Sequence, residues 1–223
     1  MATLRPEALV FDLDGTLIDS RRDITTAINW MRSDLGLEPL LLEQVVWMVG
    51  EGAKVLVRRA LADWEAELTT ARLKEVLDLY ISYYRDVCLE TTRPYPGIEA
   101  MLAELAPDYR MAVLSNKGER LSIEILEGLD LGHYFREVLG GDSLPTRKPN
   151  PAGLRALADR FNAPVERLML IGDSRVDAET ARNAGCAFAL VEWGFPRIPG
   201  ADGLEADIRA ATPEELARKL VEP

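Results

Sequence analysis

Short apolar runs, each stopping at a cluster of polar residues, constrain the fold of this chain more than any other feature. Ala8-Leu9-Val10-Phe11, Met111-Ala112-Val113-Leu114, Leu168-Met169-Leu170-Ile171 and Ala187-Phe188-Ala189-Leu190-Val191 read as buried strands, with Val138-Leu139 a weaker fifth. Between them lie amphipathic stretches of helical length: Ile98 to Leu105, Arg120 to Leu129, Pro151 to Phe161 and Asp177 to Ala184. Strands alternating with helices imply right-handed crossovers, and so an α/β chain with a doubly wound parallel-sheet, Rossmann-like core.

The stretch from about Asp19 to Arg93 breaks this rhythm. Ile24, Ala27, Ile28, Met31 and Leu35 recur at helical spacing, as do Val55, Leu56, Arg59 and Ala60, and then Leu73, Val76, Leu77, Tyr80, Ile81 and Tyr84. No strand signal interrupts them. Pro94-Tyr95-Pro96-Gly97 then forms a rigid turn suited to a boundary. The expected organisation is an α/β core of residues 1–18 and 95–223 with an inserted all-helical cap domain over 19–94. Coming straight after the first strand, the insertion is expected over that strand's C-terminal edge. There it would open and close on hinges near Leu17 to Ser20 and Arg93 to Gly97. Trp30, Trp47 and Trp64 fall inside it and are expected to pack its small core.

Counts of particular residues prune the chemistry. The 223 residues hold one histidine, His133, in a helix-to-strand connection, and a structural role is expected for it. A lone histidine without a cysteine cluster cannot build a His-rich zinc site, and no G-x-S-x-G elbow supplies the serine of a triad. Cys88 and Cys186 form no CxxC pair, and neither is followed six positions later by arginine, which excludes a cysteine-phosphatase loop. Both are expected as reduced, buried thiols. The net charge of −11 repels nucleic acid and anionic membrane. No apolar run approaches the roughly 18–20 residues needed to cross a bilayer, and Met1 to Pro6 lacks a signal peptide's apolar stretch. The expectation is a cytoplasmic protein, monomer or dimer, that binds neither nucleic acid nor membrane. Its chemistry is left to carboxylates and lysines.

In an open α/β sheet, ligands bind beyond the carboxyl ends of strands where the winding reverses. The first strand exits into Asp12-Leu13-Asp14-Gly15-Thr16, the second into Ser115-Asn116-Lys117. The third is followed by Thr146-Arg147-Lys148-Pro149, and a later one exits into Gly172-Asp173-Ser174-Arg175-Val176-Asp177. Taken singly, an Asx-type turn explains the first pair of aspartates and a helix cap the last. Four polar exits at one sheet edge point instead to a site. Gly15 permits a backbone conformation that residues with a Cβ resist. Three carboxylates suit a hard cation such as Mg²⁺, which binds through one or two carboxylates plus substrate phosphate. A divalent ion together with a lysine would remove the repulsion between an anionic carboxylate and an anionic phosphoryl group.

These motifs, in this order, resemble the haloacid dehalogenase superfamily along essentially the whole chain. Val49 to Leu61, and Gly140-Gly141-Asp142-Ser143-Leu144-Pro145 running into Lys148-Pro149-Asn150-Pro151, resemble bacterial phosphoglycolate phosphatases within it. The resemblance implies that Asp12 is a nucleophile forming an aspartyl-phosphate, and that Asp14 protonates the leaving alkoxide and then deprotonates water. The Asp12 carboxylate, the Asp14 backbone carbonyl and Asp173 would hold Mg²⁺, with Asp177 orienting metal-bound water. Ser115, the Asn116 amide and Lys148 would hold the phosphoryl oxygens, and Thr16 would help position Asp14. Dehalogenases typically lack the second aspartate, so Asp14 favours phosphoryl transfer.

The glycine-flexed turn Gly50-Glu51-Gly52-Ala53-Lys54 lacks the ending of a nucleotide P-loop and is expected to cap a helix from Ala53 onward. Lys54, Arg58 and Arg59 beside it are candidate cap contacts for a substrate carboxylate. The expected function is Mg²⁺-dependent hydrolysis of a small-molecule phosphate ester, foremost 2-phosphoglycolate. A sugar-phosphate phosphatase, a β-phosphoglucomutase-like mutase and a non-catalytic phosphate- or metal-binding protein are the alternatives.

Overall fold

The computed structural model describes residues 6–195 and 203–221. The N-terminal reading, Met1 to Pro6, therefore falls almost wholly outside the described residues. In chain order the elements are β1 (Ala8–Phe11), β2 (Ile18–Asp19), α1 (Arg21–Asp34), α2 (Leu42–Val46), α3 (Ala53–Ala60) and α4 (Thr70–Val87). There follow β3 (Arg93–Pro94), α5 (Ile98–Leu105), β4 (Arg110–Leu114), α6 (Glu119–Gly128), β5 (Glu137–Leu139) and α7 (Ala152–Phe161). The chain continues through β6 (Leu168–Gly172), α8 (Arg175–Ala184), β7 (Ala187–Val191), β8 (Ile208–Ala210) and α9 (Pro213–Val221). Two compact units result, one comprising the described residues up to Asp19 and from Pro94 onward, the other Ser20–Arg93.

The first unit is built on a six-stranded sheet in the order β5-β4-β1-β6-β7-β8, and β2 and β3 form a separate two-stranded ribbon. Every pairing in the large sheet is parallel: Phe11 sits opposite Val113 of β4 and Ile171 of β6, and β4–β5, β6–β7 and β7–β8 run the same way. Ala8 through Phe11 are fully buried, the pattern of a strand covered on both faces. On one face Ala8, Val10, Ala112, Leu114, Leu168, Leu170 and Leu190 pack against Leu154, Leu157 and Phe161 of α7 and Ala181 and Ala184 of α8. The intervening residues Leu9, Phe11, Met111, Val113 and Ile171 are buried too, on the side that the pleat turns away from this cluster. The winding leaves β1 toward β4 and β5, then returns to β6 on the far side. β1 is thus the switch point, and its exit faces the crevice where this class of sheet binds ligands.

The structure adds elements that the apolar pattern does not announce. β8 and α9 close the sheet edge after a strand of only three residues, too short to show an alternation. α9 does carry a start signal, because Pro213 occupies its first position and the Thr212 hydroxyl accepts from the Glu215 amide.

In the helical unit, α1 packs against α2 and α4, and α3 against α4. Ile24, Ala27, Ile28, Met31, Val57, Leu61, Val76, Tyr80 and Tyr84 form its buried apolar set. The tryptophans depart from expectation. Trp30 and Trp47 are 44% and 41% exposed, so aliphatic residues and the stacked pair Tyr80–Tyr84 fill the interior instead. Trp30 leans edge-on against Tyr83, and Arg72 lies over the ring of Trp64. His133 also stands at the surface, its side chain 57% exposed beside Tyr134 and 3.8 Å from Asp130. It anchors no core. Cys88 is buried and Cys186 half-buried, neither of them in a disulfide, and burial pushes the Cys186 thiol up to about 12.

Candidate active site

Asp12 is the first residue beyond β1, and its amide donates to the carbonyl of Ile171 at 2.9 Å, continuing the sheet one step past the strand. Leu13 is fully buried, and the turn then tightens, with the Gly15 amide donating to Ile18 at 2.9 Å. Gly15 adopts φ +85°, and a Cβ there would collide with the Asp173 carboxylate. Glycine at this position thus serves both the backbone conformation and the approach of the second acidic loop.

That second loop leaves β6 at Gly172, where a Cβ would meet the Asp177 carboxyl group. Asp173 follows directly. Asp177 lies in the first turn of α8 and forms a capping box with Ser174, whose hydroxyl donates to Asp177 Oδ2 at 2.5 Å. Asp12, Asp173 and Asp177 each offer a carboxylate oxygen within 4.8 Å of the others. All three are buried.

One cation sits among them. Lys148, itself 5% exposed, places Nζ 2.8 Å from Asp12 Oδ1 and 2.7 Å from Asp177 Oδ1. The Asn116 side-chain amide donates to the Lys148 carbonyl at 3.1 Å and so ties the exit of β4 to this loop. Among the described residues, three carboxylates against one ammonium leave a surplus of negative charge in a buried place, and the pKa values of Asp12 and Asp173 reflect it. Burial pushes Asp12 up to about 7, with Asp177 adding to the effect and Lys148 opposing it. Burial, then the neighbouring Asp177 and Asp12, hold Asp173 well above the usual carboxylate range, although the Phe195 amide donates to its Oδ2 at 2.9 Å. For Lys148 burial works against the charge, but Asp12 and Asp177 more than offset it and raise its pKa. A set of hard oxygen donors short of positive charge fits a divalent cation such as Mg²⁺.

Other residues singled out in the sequence fall differently. The Ser115 amide continues β4 by donating to Leu139 at 2.9 Å, while its hydroxyl accepts from the Lys117 amide at 3.2 Å. Asp14 pairs not with Thr16 but with Lys117, whose Nζ lies 2.7 Å from Asp14 Oδ1. The Thr16 hydroxyl is buried and has no hydrogen-bond partner among the described residues; its backbone carbonyl accepts instead from the Trp193 indole at 3.0 Å. The Thr16 hydroxyl thus makes no hydrogen bond to Asp14, whose carboxylate is engaged at Oδ1 by Lys117. Asp177, expected to act at a remove, presents its carboxylate in the same cluster as Asp12 and Asp173.

Lys54, Arg58 and Arg59 lie on α3 in the helical unit, all three exposed. α3 does begin at Ala53, with Gly52 as its cap at φ +87°. Arg59 is held there by the Glu51 carboxylate and the Met48 carbonyl.

Two parts of the site are absent from the sequence reading. Lys117 is visible in the Ser-Asn-Lys exit, yet only the fold shows that it meets Asp14. The Trp193-Gly194-Phe195 segment has no local signal, but Gly194 abuts the Gly15 carbonyl and Asp173 so closely that a Cβ would collide with both.

The geometry has counterparts. A model of the haloacid dehalogenase-like hydrolases matches residues 9–191. The chain belongs to this family. It is 41% identical over 191 residues to a phosphoglycolate phosphatase of Neisseria meningitidis serogroup A, covering 85% of this chain and 81% of that protein. A phosphoglycolate phosphatase of Nitrosospira multiformis is 36% identical over 219 residues, 97% of this chain and 96% of its own length. Among solved structures, one described as a predicted phosphoglycolate phosphatase from Haemophilus somnus superposes with a TM-score of 0.87 at 33% identity. It covers 99% of this chain and 98% of that one. Family membership makes the parallel sheet with its loaded β1 exit an inherited frame for a hydrolase. Among the described residues no helix is long and apolar enough to cross a membrane.

Proposed function

We propose that this hydrolase is a Mg²⁺-dependent phosphoric monoester hydrolase acting on small phosphorylated metabolites, with 2-phosphoglycolate as its substrate. The observation that carries the reading is the buried group of Asp12, Asp173 and Asp177 around Lys148 at the switch point of the sheet. Relatives that bear the name phosphoglycolate phosphatase over nearly the full chain support the choice of substrate.

Asp12 is the nucleophile. One of its oxygens forms a bond to phosphorus as the bond to the ester oxygen breaks, which leaves an aspartyl-phosphate and an alkoxide. Asp14 gives its proton to that alkoxide. It then takes a proton from a water whose oxygen attacks phosphorus, and inorganic phosphate leaves with the Asp12 carboxylate restored. Lys148 meets the phosphoryl oxygens with Ser115 and the Asn116 amide, so charge is neutralised where it grows in the transition state. Mg²⁺, held by Asp12, Asp173, Asp177 and the Asp14 carbonyl, would supply the remaining neutralisation, worth several kcal/mol in sites of this kind. Lys54, Arg58 and Arg59 of the helical unit are the candidate contacts for the glycolate carboxylate.

Phosphate release from 2-phosphoglycolate, sugar phosphates and pyrophosphate, compared by kcat/KM with Mg²⁺ and with chelator, tests the reading. The expected result is a preference for 2-phosphoglycolate that chelation abolishes. Turnover of a sugar phosphate only in the presence of a bisphosphate primer, with little free phosphate, would identify a mutase instead. Undiminished activity in chelator would remove the metal.

A further inference from the structure

Two lysines stand at the loaded edge of the sheet, and they divide the carboxylates between them. Lys148 takes Asp12 and Asp177, whereas Lys117 meets Asp14, at 2.7 Å. The second pair is nearly as sheltered as Lys148 and Asp12, its side chains 7% and 12% exposed against 2% and 11%. Lys117 is itself well anchored. Its amide donates to Ser115 Oγ at 3.2 Å and its carbonyl accepts from Gly141 at 2.7 Å. Gly141 in turn has no room for a Cβ against the Asn116 main chain. A surface ion pair would need no such support. Asp14 is separated from Asp12 by the fully buried Leu13 and contributes no carboxylate oxygen to the cluster around Lys148.

We infer that Lys117 is a positioning residue that fixes the Asp14 carboxylate for proton transfer to the leaving group, an inference that rests on the hydrolase reading above. A carboxyl group transfers a proton only from within about 2.6–3.2 Å of the acceptor. An aspartate side chain turns freely about two bonds unless something holds it, and an ammonium gripping Oδ1 stops that rotation. Misplacing a catalytic group by about 1 Å can cost on the order of 10²-fold.

The test is the dependence of kcat/KM on leaving-group basicity, measured for wild type, Lys117→Met and Lys117→Arg. The substrates are substituted phenyl phosphates of similar size, with 2-phosphoglycolate alongside. kcat/KM reports only the steps up to P–O cleavage, so later hydrolysis of the intermediate does not enter. A nitrophenolate departs without a proton, while phenolate and alkoxide need one. Lys117→Met is therefore expected to lose at least about tenfold more on phenyl phosphate than on p-nitrophenyl phosphate, part of the 10²–10⁴ that acid catalysis contributes. Lys117→Arg should recover most of that difference. Misfolding or weakened phosphate binding lowers every substrate alike, so an unchanged slope in an active enzyme overturns the role of Lys117. A loss confined to 2-phosphoglycolate overturns it as well and makes Lys117 a reader of the carboxylate. If wild type releases phosphate from none of these esters, the hydrolase reading itself falls and this inference falls with it.

Discussion

In the helical unit the buried Asp23 accepts from the amides and hydroxyls of both Thr91 and Thr92, at 2.5–3.1 Å. Arg32, equally buried, donates to the carbonyls of Glu38 and Ala60 and to both oxygens of Asp63. Its guanidinium holds the Asp63 carboxyl below the ordinary carboxylate range. At the edge of the sheet, by contrast, Asp12, Asp173 and Asp177 cluster around one lysine among the described residues, and burial raises the pKa of both Asp12 and Asp173. Burial is the same in the two places, but the balance of charge is not. A buried charge whose partners are all supplied by its own chain is a fastening. A surplus of one sign is a place kept for something the chain does not supply.

The comparison can be broken at its strongest point first. Asp12→Asn is expected to reduce kcat by at least about 10³-fold, roughly 4 kcal/mol of barrier, while the protein stays folded. Thermal unfolding beside the turnover assay separates the two effects. Asp23→Ala should do the reverse. It strips the acceptor from two backbone amides at about 1–3 kcal/mol for each group left unpaired, so a loss of about 3 kcal/mol by denaturant titration is expected. Unimpaired Mg²⁺ affinity would go with it. If Asp23→Ala is harmless to stability, the fastening reading of the helical unit is wrong.

The next effect links charge surplus to pH. Burial raises the pKa of Asp12 to about 7 in the folded chain, well above the usual carboxylate range, so the folded state holds the proton more tightly. This contribution to stability is complete below about pH 4 and is lost as the pH rises through about 7. Unfolding followed in chelator should show that decline. Mg²⁺ at one hundred times its dissociation constant should add about 2.7 kcal/mol. At roughly 2–4 °C per kcal/mol for a chain of this size, the midpoint should rise by about 5–10 °C. A midpoint indifferent to both pH and Mg²⁺ would mean that the three carboxylates are not short of positive charge. The smallest effect belongs to Arg59, half-exposed and paired with Glu51. Arg59→Ala is expected to move stability by less than about 0.5 kcal/mol. A several-fold rise in KM for 2-phosphoglycolate without a change in kcat would make it a substrate contact, whereas no change in either would leave it a solvated helix face.

The apolar runs located the central strands because a strand covered on both faces must be apolar at every position, as Ala8 to Phe11 are. β8 escaped because three residues at a sheet edge carry no such requirement. Trp30 and Trp47 depart from the sequence expectation for a related reason. Ring size favours burial on average, but in a small helical unit the aliphatic side chains and two stacked tyrosines already fill the interior. Asp12, Asp14 and Asp173 were legible from their place after strands. The Lys117–Asp14 pair joins residues 103 positions apart and leaves no local trace.

Alone, then, the sequence determined the alternation of strand and helix, the strand exits that carry acid and base, and the glycine on which the first loop turns. These follow from local periodicity and backbone sterics, which act between near neighbours. Only the tertiary structure decided which exit meets which: that β1 lies between β4 and β6, that Lys148 falls between Asp12 and Asp177, and that Asp14 takes Lys117 rather than Thr16. Strand order and the meeting of distant charges are set by packing and by the balance of burial against pairing, and no short window of residues contains either.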